Sequence, residues 1–269
     1  MSDMVIDIDP VIVHLGGFAL RWYSLTFAGG IGLALILTLR EARRRGLNAD
    51  KVSNVALWAV LGGLVGARLF HVVDQLDYYM ANPHLILAVN QGGLAIWGGL
   101  ITGGLVALFA ARREKLPAAR LADAIVFGLL VGQMVGRLGC IINGDAYGGP
   151  TTMPWGFTYV NPEAMIPDAL KGIPTHPYPV YEILWNLALL GLLLFLRKRD
   201  LPAGMLFSTY VAGYAVGRFT LTFVRQEAIW FWGLQEAQVV SLLAFVLAVA
   251  GGVYLTRVRS ATRARKRSR

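Results

Sequence analysis

An arginine set in hydrocarbon marks the stretch GRLGCIINGDAYGG, residues 136–149, where Arg137 falls about 16 residues into an apolar run beginning near Leu121. A charge at that depth costs roughly 2.5–3.5 kcal/mol on insertion scales. An acid within a helix bundle or a bound anion must compensate it. Arg68 and Arg218 lie at about the same depth in two other apolar segments. Snorkelling accounts for any one of them, but three guanidiniums at one level, with few carboxylates nearby, point to an anionic ligand. The planar fork of arginine suits phosphate, and at headgroup depth that phosphate is a phospholipid's phosphodiester.

Other residues fall near this level. Asn143, Gly144, Asp145, Tyr147, Gly148 and Gly149 carry the chain out of the apolar run. They are turn formers and hydrogen-bonding groups on a backbone that can approach a ligand closely. Tyr23 adjoins Arg21 and Trp22 and is either an interfacial belt residue or a site residue. His71 follows Arg68 by three positions, on the same helical face, as a base or a wet surface group. Asp145 is the other candidate base, or else a hydrogen-bonding partner of Arg137 or Tyr147. Trp97, inside QGGLAIWGGLITGG, packs against a flat neighbour, a helix or a lipid chain. Arg225 leaves its segment beside the site level, and Glu182 in HPYPVYE is placed to pair with one arginine. The single cysteine, Cys140, reads as a small core residue, and it excludes an internal disulfide framework and a cysteine-based metal cluster.

The elements that hold these residues follow from composition. With 269 residues, 56% hydrophobic, 15% charged, and a mean hydropathy of +0.55, the chain reads as an all-α polytopic membrane helix bundle. Seven spans of membrane-crossing length are expected at about 18–39, 52–73, 94–111, 121–142, 178–196, 203–223 and 235–256. The acidic start MSDMVIDIDP lacks the basic flank of a cleavable signal, so the first span is expected to stay. Nineteen of the 25 Lys and Arg residues fall in alternate connections and after the last span, and none lies between residues 74 and 93. By the positive-inside rule the N-terminus is outside and the C-terminus inside. Residues 1–256 then form one membrane domain, and 257–269 form a basic cytoplasmic tail suited to anionic lipid. The net charge of +9 lies in these connections, not on a folded basic face, so no nucleic-acid partner is expected. The long stretch 144–178 lies on the outer side. Its alternating Trp155, Phe157 and Tyr159 read as an exposed strand or interfacial ribbon, covering a lipid-side site.

These residues also carry a resemblance. GRLGCIINGDAYGGPT resembles the signature segment of the phosphatidylglycerol:prolipoprotein diacylglyceryl transferase family, and RWYSL, GARLFHVV, GGLAIWGGL, PVYE, GRFTLTFVRQ and EAQVVSL resemble further blocks in the same order. The likeness spans nearly the whole chain. It implies a seven-helix enzyme of the bacterial inner membrane, with its site on the periplasmic side. Such an enzyme moves the diacylglyceryl group of phosphatidylglycerol to the thiol of a prolipoprotein lipobox cysteine and releases glycerol phosphate, with no metal or other cofactor. Arg137 matches the family's lipid-binding arginine and Arg218 its second essential arginine. Tyr23, Asn143 and Gly148 match other functional positions. Three positions depart from the common pattern: Trp97 stands where a histidine is frequent, Thr222 where a glutamate is, and Cys140 where an asparagine is. The expected catalytic set is Arg137, Arg218, Tyr23 and His71. Arg68, Asn143, Asp145, Gly148, Trp97 and Arg225 join Arg137 in binding substrate. The competing readings are a transporter or flippase of anionic phospholipid and a diverged transferase with another acceptor.

Overall fold

The computed structural model describes residues 4–15, 18–88, 92–225 and 229–267. Its helices are α1 (Trp22–Arg44), α2 (Ala49–Asp74), α3 (Leu76–Ala81), α4 (Ile96–Arg113), α5 (Ala118–Asn143), α6 (Tyr178–Leu196), α7 (Met205–Thr222) and α8 (Glu236–Arg267). A long helix thus occupies each of the seven apolar segments. Among the described residues, five are long and apolar enough to cross a membrane: α1, α2, α5, α6 and the Glu236–Ser260 part of α8. The other two, α4 and α7, have 18 residues each. α4 closes on Arg112 and Arg113, and α7 carries Ser208, Thr209, Tyr210, Tyr214, Arg218 and Thr220.

The chain is mostly helical, and two details of the expectation need correction. Three two-stranded sheets accompany the helices: β1 (Met4–Ile6) with β4 (Phe157–Tyr159), β2 (Val11–Leu15) with β3 (Phe18–Arg21), and β5 (Ile229–Phe231) with β6 (Leu234–Gln235). The first apolar span therefore opens as a strand, and its helix starts only at Trp22, whose N–H donates to the Pro10 carbonyl at 3.1 Å. Val11, Ile12 and Val13 are β-branched and favour this pairing. The second correction concerns 144–178. β4 is buried, held between β1 in parallel and Thr175, with which Phe157 exchanges two 2.9 Å backbone hydrogen bonds. Phe157, Tyr159, Ala164 and Ile166 form a small core there, joined by Ile6, Ile141, Tyr147, Leu170 and Val180. Trp155 alone of the alternating aromatics is exposed, its indole N–H on the Tyr181 hydroxyl at 2.8 Å.

Packing divides the chain into two units, the first holding Met1–Leu15, Ala19–Thr38 and Ile125–Arg269, the second Gly16–Phe18 and Leu39–Ala124. In the first, Val126, Phe127 and Leu130 of α5 meet Leu189 and Leu193 of α6 and Leu206 and Tyr210 of α7. α1 crosses α5 closely: a Cβ on Gly30 would lie 2.8 Å from the Gly132 carbonyl oxygen, the small-residue crossing usual in membranes. In the second, α2 and α4 are joined by Thr102 Oγ1 donating to the Gly62 carbonyl at 3.1 Å and by the Ala95 N–H on the Ala67 carbonyl at 2.9 Å. Arg44 and Arg45 both donate to buried Glu41, and Arg45 also reaches buried Asp123 at 3.5 Å.

Candidate active site

In the first unit, three arginines gather around one tyrosine and one carboxylate. Tyr178 opens α6, with a proline in the first helical turn as helix starts favour. Glu182 follows one turn later, so both present the same face. The Tyr178 hydroxyl donates to Glu182 Oε1 at 3.1 Å and accepts from Arg218 Nη1 at 2.5 Å. Arg218 Nη1 also reaches Glu182 Oε1 at 3.3 Å, and Arg137 Nε pairs with Glu182 Oε2. The guanidinium carbons of Arg137, Arg218 and Arg225 lie 6.0, 5.8 and 5.0 Å from the Tyr178 ring centroid. Glu182 is only 6% exposed, and two guanidiniums share its single negative charge. The pair and its carboxylate together keep one positive charge, in surroundings where low dielectric strengthens its pull on an anion.

The segment after Arg137 is fastened around this centre. Arg137 Nη1 approaches the Sγ of buried Cys140 at 3.6 Å. Cys140 packs with Ala146 and Tyr178, and Tyr23 leans on the same cluster. Asn143 is buried, accepting from Arg21 Nη1 at 3.4 Å on its side chain and from the Met165 N–H at 2.8 Å on its carbonyl. Gly148 donates to the His176 carbonyl at 3.0 Å, and Gly149 to the Val224 carbonyl at 2.8 Å. A Cβ on Gly148 would stand 2.7 Å from the His176 Cβ and 3.1 Å from Val224 Cγ1, so this position has room only for glycine. Asp145 acts electrostatically on Tyr23, Cys140 and Tyr159. No ion pair joins it to Arg137 among the described residues, and its Oδ1 is buried without a hydrogen bond. Tyr159 donates its hydroxyl to the Ile141 carbonyl at 2.9 Å. Burial first, and Asp145 second, push its phenol well above the ordinary value.

Arg68, His71 and Trp97 belong to the second unit. Arg68 is buried, and its guanidinium serves a loop: Nε donates to Ile86, Nη1 to Gly92 and Gly93, and Nη2 to Leu85, all carbonyls at 2.5–2.8 Å. Four of its five N–H groups are thereby used, and its charge lies 5.2 Å from the Tyr79 ring centroid. His71 meets the same ring edge-on at 5.8 Å. Trp97 is the second residue of α4 and is partly exposed. Two residues of the arginine centre were not expected from sequence. Tyr178 stands four positions before Glu182, the signal that would have found it, and Tyr214 lies one turn before Arg218 and senses the same charges.

The comparisons with known proteins concern nearly the entire chain. The family profile described as Prolipoprotein diacylglyceryl transferase matches residues 10–254. A relative from Mycobacteroides abscessus, named phosphatidylglycerol–prolipoprotein diacylglyceryl transferase, is 40% identical over 254 residues, 88% of this chain and 74% of its own. Proteins of the same name from Nostoc sp. and Lysinibacillus sphaericus are 37% and 35% identical, covering 91% and 94% of this chain and 89% and 94% of theirs. The chain belongs to the prolipoprotein diacylglyceryl transferase family.

Proposed function

We propose that this protein transfers the diacylglyceryl group of phosphatidylglycerol to the thiol of the lipobox cysteine of prolipoproteins, the first step of lipoprotein maturation, and releases glycerol phosphate. The observation that carries this is the sharing of one carboxylate, Glu182, by Arg137 and Arg218 beside Tyr178. That arrangement favours an anion at the end of apolar helices, and a lipid phosphodiester supplies it. Arg137 and Arg218 hold the phosphodiester, with Arg225 alongside. The thiol sulfur bonds to the glyceryl carbon, the C–O bond to phosphate breaks, and charge growing on the leaving phosphate meets donors already in place. Tyr23 lines the acceptor side next to Cys140, while Asn143 and Gly148 keep the turn after α5 in shape. Arg68 is assigned to organising its loop and not to the lipid.

The basic residues support a bacterial inner-membrane protein with seven spans, its N-terminus outside and its C-terminus inside. Residues 1–256 form the membrane domain, 257–269 the basic cytoplasmic extension, and the arginine centre and residues 144–178 face the periplasm. The functional test is mass spectrometry of a lipobox peptide incubated with the purified protein and phosphatidylglycerol. The expected result is a peptide heavier by one diacylglyceryl group with an equal yield of glycerol phosphate. A peptide unchanged in mass would overturn the assignment.

A further inference from the structure

We propose that Asp145 is the catalytic base that takes the proton from the acceptor thiol; the proposal rests on the transferase reading above. Two carboxylates stand close to the arginine centre in opposite circumstances. Glu182 is committed, accepting from Tyr178 and pairing with Arg137 and Arg218. Asp145 is half-buried, and its Oδ1 is shut off from solvent with no hydrogen-bond donor among the described residues. Buried polar groups are nearly always satisfied, and a carboxylate oxygen left open just beyond the end of α5 calls for a functional reason.

The neighbours of Asp145 indicate that reason. Tyr23 of α1, Cys140 of α5 and Tyr159 of β4 are the titratable groups that sense it. The Cys140 thiol has Arg137 at 3.6 Å and Asp145 within hydrogen-bonding reach, so a guanidinium and a carboxylate flank one sulfur. An incoming thiol there meets the same pair of groups, one to hold phosphate and one to receive a proton. Two of the four histidines are otherwise engaged. His71 lies in the second unit, edge-on to Tyr79. His176 has its ring Nδ1 3.1 Å from the Tyr181 hydroxyl, and its backbone is bonded to both Gly148 and Gly149. Asp145 therefore takes the place that the sequence offered first to His71.

The step balances. The S–H proton passes to the Asp145 carboxylate, a sulfur electron pair forms the S–C bond, and the C–O bond breaks with its electrons leaving on glycerol phosphate. The proton then departs from Asp145 to product or water.

The experiment uses the full chain in phosphatidylglycerol liposomes with a synthetic lipobox peptide, from about pH 6.5 to about pH 9.5, bracketing the ordinary thiol pKa of about 8.5. Asp145→Asn should lower kcat roughly 10²–10⁴-fold near neutrality and leave KM for the lipid within about twofold. The deficit should shrink about tenfold per pH unit up to about pH 8.5 and level off above it, as the peptide thiol ionises unaided. Asp145→Glu keeps a carboxylate and should retain at least about a tenth of wild-type turnover. If Asp145→Asn fails to fold, Asp145→Glu decides: retained turnover supports the proposal, and its loss overturns it. Full activity of Asp145→Asn, a deficit equal at every pH, or a raised KM with unchanged kcat would overturn the base assignment alone. Wild-type protein that leaves the peptide unmodified would overturn the transferase reading and this inference with it.

Discussion

Replacing Glu182 by Gln tests the arginine centre directly. The substitution is nearly isosteric, so packing is kept and the charge shared by Arg137 and Arg218 is removed. Breaking a buried ion pair by deleting one partner costs about 3–5 kcal/mol. Glu182 is 7% exposed in its side chain, but Arg137 and Arg218 are 25% and 22% exposed, so residual solvent puts the expectation near the lower end, about 3 kcal/mol. A chain of this size loses about 2–4 °C of Tm per kcal/mol, and thermal unfolding in detergent should fall by about 6–12 °C. An anionic lipid then offers the arginines a substitute counterion. A ligand present at about a hundred times its Kd restores about 2.7 kcal/mol, so phosphatidylglycerol should recover most of the lost Tm in Glu182→Gln and less in the wild type. Phosphatidylcholine, whose headgroup carries its own cation, should not. Unfolding of Glu182→Gln within about 2 °C of wild type, or equal recovery in both lipids, would refute the view of Glu182 as the counterion that an incoming phosphodiester supplements.

Arg137→Lys should lose turnover nearly as fully as Arg137→Ala, because lysine keeps the charge without the fork that reaches Glu182 and phosphate together; Arg112→Ala, at the basic end of α4, should turn over like wild type in the same peptide assay. Arg68→Lys leaves at most three donors for four loop carbonyls, and hydrogen exchange should quicken across residues 85–88 while phosphatidylglycerol affinity holds. Cysteines introduced singly at Thr151 and Arg113 should label from outside and inside the membrane respectively, and the reverse pattern would turn the arginine centre toward the cytoplasm.

The helices and the two central arginines were legible because a charge in hydrocarbon is a loud signal and apolar segments of membrane length have few other readings. Depth along a helix, however, says nothing about which way a side chain points or what reaches it from a loop. Arg68 shares its depth with Arg137 and Arg218, yet it is occupied by the carbonyls of Leu85, Ile86, Gly92 and Gly93. Those are main-chain groups that no side-chain pattern announces. Tyr178 was hidden for another reason: a tyrosine at the mouth of an apolar helix is usually a belt residue. The strands were hidden by length. β1 and β4 have three residues each, and they pair across about 150 positions of sequence, beyond the reach of local periodicity.

The departures from the common family pattern become intelligible at the level of charge. Thr222, set by the sequence resemblance against an expected glutamate, is fully buried and donates its hydroxyl to the Arg218 carbonyl of its own helix at 2.5 Å. It fills space and satisfies itself, and supplies no charge. Cys140, set by the same resemblance against an expected asparagine, is small enough to let Tyr23, Ala146 and Tyr178 close around it while Arg137 rests against its sulfur. Glu182 on α6 then serves both Arg137 and Arg218, and that group of three carries one positive charge. A lipid phosphodiester carries one negative charge, so its arrival brings the group to neutrality in a medium where an uncompensated charge is expensive in either direction. A second carboxylate at position 222 would change that count. With threonine there, Glu182 is the carboxylate that Arg137 and Arg218 share, which is why Glu182→Gln should make the protein more dependent on phosphatidylglycerol and not indifferent to it.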